Sequence, residues 1–136
     1  MDRVLEDAYR GTSYEVLTDP PIVLRVDEQN AALAELHRAH RCRSSAFLTA
    51  WNPLSQEPTP AENAERQALL RASVEEKGFK MIDGVGASTT DDWPPEESLL
   101  VLGIDRDTAA TLGVQFEQNA IVWAGEDAVP RLLILV

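Results

Sequence analysis

Uncharged polar side chains and a tryptophan lie at the ends of several predicted elements. The apolar run AFLTA, from Ala46 to Ala50, stops at Trp51 and Asn52, and Asn63 lies in the first turn of a predicted helix. Amides donate and accept hydrogen bonds without titrating, and an indole offers a flat surface for stacking. If these ends meet at one edge of the fold, they suit a small polar or planar ligand. The candidate ligand-binding residues are Trp51, Asn52, Asn63, Glu97, Gln118 and Asn119.

The same residues have a second, structural interpretation. An asparagine before a proline bonds its own backbone in a turn, so Asn52 would hold the connector that begins at Pro53. Asn63 would satisfy further backbone groups of this connector, and Trp51 and Trp123 would fill the core beneath it. The sequence leaves both roles open and favours the structural role, in which the amides stabilise the connector.

Catalysis by Glu97 or Cys42 is an alternative. Glu97 leads directly into a predicted buried strand, and Cys42 lies between Arg41 and Arg43, whose positive charges favour a thiolate. Nucleophilic catalysis needs a base and an orienting group arranged in space, which adjacency in sequence rarely provides. The sequence contains no dinucleotide or phosphate loop and no GxSxG, HExxH or CxxC motif. Whether the protein is an enzyme therefore stays open.

The sequence predicts neither a metal site nor a cofactor. His37 and His40 have no evident third ligand, which a zinc site needs. Two acidic pairs flank Pro94 and Pro95 and are typical of a solvated loop rather than of a magnesium site: Asp91 with Asp92, and Glu96 with Glu97.

The charge balance limits the classes of partner. Twelve basic residues against 23 acidic ones give a net charge of −11, which repels nucleic acid and anionic membrane surfaces. An acidic module that binds a basic protein remains a further alternative. Cys42 is the one cysteine, so an internal disulfide is impossible and a reducing cytoplasm is favoured. The acidic start MDRVLEDAYRG does not resemble a signal peptide, and no apolar run is long enough for a membrane span.

Periodicity and turn residues predict an alternation of helices and strands. A short helix over 1–10 and a hairpin of strands 14–17 and 22–26 precede a helix from Glu28 to His40 with Asp27 as its cap. A second cap, Asp105, begins a helix that ends at Gly113. The remaining strands are predicted over 46–51, 80–85 (with a bend at Gly84 and Gly86), 98–104, 118–123 and 132–136, with an acidic loop over 87–95.

The helix after the connector has the clearest local signal. Thr59, Pro60 and Glu62 form a capping box with proline at the first helical position, and Gly78 supplies a stop. Steps of three and four residues place Asn63 on the same face as the core positions Leu70 and Val74. Asn63 is therefore expected near the buried edge.

The order of elements predicts one α+β domain over residues 1–136. Residues 1–43 supply an N-terminal helix, a hairpin and a helix, and residues 44–136 supply the core. From Ala46 the order follows the β-α-β-β-α-β pattern of the ferredoxin-like sandwich. We expect two layers, with the helices on one face of a mostly antiparallel sheet.

Four blocks carry a resemblance to a known family. AFLTAWNPLS, Asn63, PPEESLLVLGI and FEQNAIVW together resemble the uncharacterised bacterial domain family DUF3293, over about Ser45 to Trp123. Similar sequences usually have glycine where this chain has Glu117, which puts a tight turn there in doubt. The resemblance implies a small bacterial cytoplasmic domain and no established activity. We expect a binding or interaction domain whose partner is an unknown small molecule or protein.

Overall fold

The computed structural model describes residues 1–88 and 94–136, within which there are four α-helices and seven β-strands. The helices are α1 (Arg3–Gly11), α2 (Ala31–Ala39), α3 (Pro60–Glu76) and α4 (Arg106–Gln115). The strands are β1 (Ser13–Val16), β2 (Ile22–Leu24), β3 (Ser45–Leu48), β4 (Lys80–Ala87), β5 (Glu96–Leu102), β6 (Ala120–Ala124) and β7 (Arg131–Ile134). The mixed α+β class predicted from the sequence is confirmed.

The described strands form a single curled sheet in the order β2-β1-β4-β5-β3-β6-β7, and every neighbouring pair is antiparallel. The register places three residues of β1, β4 and β5 opposite one another. Tyr14 of β1 lies opposite Gly86 of β4, which in turn lies opposite Glu96 of β5. Because directly opposed residues share a face, these three positions lie on the same side of the sheet.

Helices cover both faces of the sheet, which differs from the predicted two-layer sandwich with helices on one face. On the first face, α3 and α4 pack through Leu70 and Leu112 against alternate residues of β3 and β5. On the second face, Leu33 of α2 packs in a core that includes Phe47 and Leu100. In a sheet with only one covered face, apolar and polar residues alternate along each strand. In β3, by contrast, the residues that point to either face are all buried.

Local caps account for the helix boundaries. The Thr59 capping box and the Asp105 cap are present as predicted. The predicted Asp27 cap is wrong, because α2 begins after Asn30, whose Oδ1 accepts from the backbone N–H of Leu33 at 2.9 Å. The predicted end of α4 at Gly113 is also wrong, since the helix continues to Gln115.

Two glycines, predicted as a helix end and as a strand bend, permit close packing. A Cβ on Gly113 would lie 2.5 Å from Leu135 Cδ1, so the glycine lets β6 and the C-terminal segment approach α4. A Cβ on Gly84 would lie 2.7 Å from Phe47 Cε2, so the phenyl ring packs directly against β4, which continues to Ala87. At both positions the absence of a side chain permits the close approach.

The buried His37 of α2 predicts a pH dependence of stability. Its Nε2 lies 2.8 Å from Ser45 Oγ, and burial lowers the pKa of the imidazole below its ordinary value. The unfolded chain therefore binds this proton more readily than the native state, and we expect the free energy of unfolding to fall as pH drops below about 6.5. Urea denaturation between about pH 7 and pH 5 measures this.

His37→Gln should flatten that pH dependence, whereas His40→Gln, at the C-cap of the same helix, should retain it. Equal slopes for wild-type protein and His37→Gln would contradict the assignment.

The predicted acidic loop over 87–95 lies largely outside the described residues, and so do its acids Asp91 and Asp92. Within the ranges 1–88 and 94–136, no helix combines the length and the apolar character needed to cross a membrane.

Candidate functional site

The strand that begins at Ser45 ends at Leu48, earlier than predicted, and the chain then turns sharply. Asn52, Leu54 and Ser55 all have left-handed backbone conformations, with φ of 48°, 51° and 61°. Asparagine tolerates this region, whereas leucine adopts it at a cost of about 1–2 kcal/mol. A residue distant in sequence stabilises the turn, because the N–H of Leu54 donates to the carbonyl of Glu117 at 2.6 Å.

Asn52 and Asn63 hold each other by two reciprocal hydrogen bonds. The backbone N–H of Asn52 donates to Asn63 Oδ1 at 2.8 Å, and Asn63 Nδ2 donates to Asn52 Oδ1 at 2.8 Å. Both residues are buried, with exposed fractions of 7% and 3%. This pair, which we call the asparagine brace, ties the end of β3 to the first turn of α3.

Two further α3 residues extend the brace, and sequence reasoning missed their roles. Gln67 Oε1 accepts the N–H of Ala50 at 2.9 Å, and Arg66 donates to the carbonyls of Ala50 and Phe116. Gln67 lies one turn beyond Asn63 on the face that the helical period predicts as buried. Polar residues on a predicted core face were the available signal, because buried polar groups require partners.

Gln118 and Asn119, between α4 and β6, converge on the same turn from a distant part of the sequence. Gln118 Nε2 donates to the carbonyls of Trp51 and Phe116 at 3.3 and 3.2 Å. Asn119 Nδ2 donates to Ser55 Oγ at 2.8 Å. The structure thus brings five of the six candidate residues into one hydrogen-bonded region.

A cavity of about 440 Å³ opens beside this region, between α1 and the second face of the sheet. Trp51, Asn52 and Gln118 line it, whereas Asn63, Glu97 and Asn119 lie outside it. Four aromatic residues supply much of the wall: Tyr9, Tyr14, Phe47 and Trp51. Asn63 is therefore connected to the cavity lining through its hydrogen bonds to Asn52, and Asn119 through Ser55, which lines the cavity.

Tyr9, which sequence reasoning did not single out, connects α1 to the turn. Its hydroxyl group lies near the side chains of Ser55 and Asn119. Burial raises the pKa of this phenol and the negative charge of Glu96 raises it further, while the polar side chains of Ser55 and Asn119 lower it. Tyr14 fixes the same helix, because its hydroxyl donates to the carbonyl of Tyr9 at 2.6 Å. A short N-terminal helix carries no local sign of these contacts.

Of the two neighbouring glutamates, Glu96 lines the cavity and Glu97 does not. β5 begins at Glu96, so alternation places neighbouring side chains on opposite faces. Asn52 Nδ2 donates to Glu96 Oε1 at 3.1 Å, whereas Glu97 is exposed and borders a shallow groove with Gln67 and Arg71 on the other face.

Cys42, the other residue considered for catalysis, does not line the cavity. It is half-buried and packs against the second core. In the part of the chain that the structure describes, no group of three or more His, Cys, Asp or Glu side chains is placed to hold a metal ion.

Fold and cavity together define a small α+β domain with a largely apolar pocket on one face of its sheet. The chain belongs to the family described as Protein of unknown function (DUF3293), whose match covers residues 48–121, more than half of the chain. The resemblance found in the sequence is thereby confirmed. No curated protein and no solved structure matches the chain.

The turn placed in doubt by Glu117 is present. Glu117 has a φ of 57° and directly follows Phe116, which caps α4. This left-handed position after a helix is the one that glycine usually occupies. The glutamate adopts the conformation itself, and Arg66 Nη1 lies 3.6 Å from its Oε1.

Proposed function

We propose that this protein binds a small molecule with an apolar or planar body in the cavity beneath α1. The cavity carries the proposal, because about 440 Å³ lies within the range of small-molecule sites. Its wall combines aromatic rings with a few convergent polar groups, which is the usual composition of such sites. Tyr14 and Phe47 already pack edge to face, with ring centroids 5.3 Å apart, so this part of the wall is preformed.

The candidate residues divide into two roles under this proposal. Trp51, Asn52 and Gln118 contact the ligand, with Trp51 as a stacking surface. Asn63 and Asn119 position those contacts through the asparagine brace and through Ser55. Glu97 has no part in the site.

Helix α1 covers the cavity and controls access to it. None of its residues is fully buried, and its contacts to the turn run through Tyr9. A helix held by so few groups opens at lower cost than the packed helices α3 and α4. Ligand exchange would therefore proceed by displacement of α1.

Three finer statements belong to the same proposal. The order of elements from β3 to β6 supports a ferredoxin-like arrangement for that part of the chain. A single cysteine supports a cytoplasmic location. Membership of DUF3293 supports a bacterial source.

A fragment screen followed by two-dimensional ¹H–¹⁵N NMR spectra tests the proposal. Binding compounds should shift the amide signals of residues around the cavity, such as Tyr9, Gly86 and Ala120, and leave those of Leu69 and Val114 unchanged. The latter two are exposed on α3 and α4, on the opposite side of the sheet. A library that shifts no signals, or only signals on the α3 and α4 side, would overturn the proposal.

A further inference from the structure

The charged side chains in the described lining of the cavity are all acidic. Its described lining includes the carboxyl groups of Asp2 and Glu96, and it includes no lysine, arginine or histidine. The whole chain carries a net charge of −11, which adds to the negative potential at this site.

Glu96 is held in a defined position at the rim. It is half-buried, and Asn52 Nδ2 donates to its Oε1 at 3.1 Å. This neutral donor orients the carboxylate without cancelling its charge. A phosphate or carboxylate ligand would be repelled by this negative charge, and the described lining includes no lysine, arginine or histidine that would attract it.

The aromatic wall favours the same class of ligand. A cation within about 6 Å of a ring centroid is attracted by the negative face of the ring, most strongly for tryptophan. Tyr9, Tyr14, Phe47 and Trp51 line the cavity together with Glu96. We infer that the ligand is a small organic cation, an amine with an apolar or aromatic body, whose ammonium group pairs with Glu96 while its body contacts the aromatic wall. This inference rests on the proposed function.

Three compounds of nearly equal size and different charge test this inference: phenethylamine, 2-phenylethanol and phenylacetate. We expect phenethylamine to bind at least about tenfold more tightly than 2-phenylethanol in a calorimetric or NMR titration, and phenylacetate to bind most weakly. The affinity of phenethylamine should fall as salt is added, whereas that of the alcohol should not.

Neighbouring glutamates provide a matched pair of variants. Glu96→Gln should reduce the affinity for phenethylamine to that for the alcohol and leave the alcohol unaffected. Glu97→Gln removes the same charge from the other face and should change neither affinity. Should Glu96→Gln fail to fold, the salt dependence of the wild-type protein decides the question alone.

The outcomes that overturn this inference can be distinguished from those that overturn the proposed function. Equal affinities for amine and alcohol, or equal effects of the two variants, overturn the cationic ligand class and leave small-molecule binding in place. Binding of none of the three compounds also overturns the cationic class, and the fragment screen separately decides whether the cavity binds small molecules at all.

Discussion

Asn63→Ala is expected to lower the free energy of unfolding by about 3 kcal/mol. The substitution leaves the N–H and the Oδ1 of Asn52 without their Asn63 partners in a buried setting, and each unpaired buried group costs about 1–3 kcal/mol. Urea denaturation followed by circular dichroism measures the change. Glu65→Ala, an exposed substitution in the same helix, is the control and should change stability by less than about 0.5 kcal/mol.

A double-mutant cycle isolates the asparagine brace from general effects of burial. Asn52→Ala, Asn63→Ala and the double variant should give a coupling energy of about 1–3 kcal/mol, because the two side chains bond each other directly. A loss of less than about 0.5 kcal/mol for Asn63→Ala, or additive single effects, would show that the brace does not hold the turn. Asn63 would then be free to serve another role.

Gly86→Leu is expected to weaken ligand binding by more than tenfold without weakening the fold. Gly86 lines the cavity, and a Cβ built on it meets nothing nearer than Ser98 Oγ and Thr12 Cγ2, each at 4.0 Å. A leucine therefore has room, and its side chain occupies the space that a ligand needs. Because glycine weakens a strand, the melting temperature should stay the same or rise. Titration of a fragment hit into each protein measures the affinity.

Gly86→Ala provides the graded comparison, because one methyl group takes up little of the cavity. Its effect on affinity should be clearly smaller than that of the leucine. If Gly86→Leu folds and binds the hit as tightly as the wild-type protein, the ligand lies elsewhere. A fall in melting temperature would instead show that the backbone at Gly86 needs a glycine.

Local chemistry made much of the fold predictable. The capping box at Thr59 and the cap at Asp105 depend on residues three positions apart, so the sequence displays them directly. The helical period placed Asn63 and Gln67 on a buried face in the same way. Errors arose where a distant partner decides the conformation. Gly113 was predicted to end α4, but it lies within the helix and accommodates Leu135 from elsewhere in the fold.

The difference between local signals and distant partners also decides which parts of the candidate site could be predicted. The sequence places Asn52, Gln118 and Asn119 at the ends of elements, and hydrogen bonds bring these ends together in the fold. The choice between Glu96 and Glu97 depends on a one-residue register, since neighbours on a strand face opposite sides. The position of Tyr9 depends on where α1 docks, and no local pattern encodes a contact with Ser55 some 46 residues later.

Intermolecular nuclear Overhauser effects between a bound hit and assigned side chains test the central claim most directly. A ligand in the cavity should show contacts to Leu5 and Tyr9 of α1 and, in the same complex, to Phe47 and Val122 of the sheet. Contacts to both walls at once are the predicted result. Contacts confined to Leu69 or Val114, on the exposed faces of α3 and α4, would contradict the claim that this cavity is the binding site.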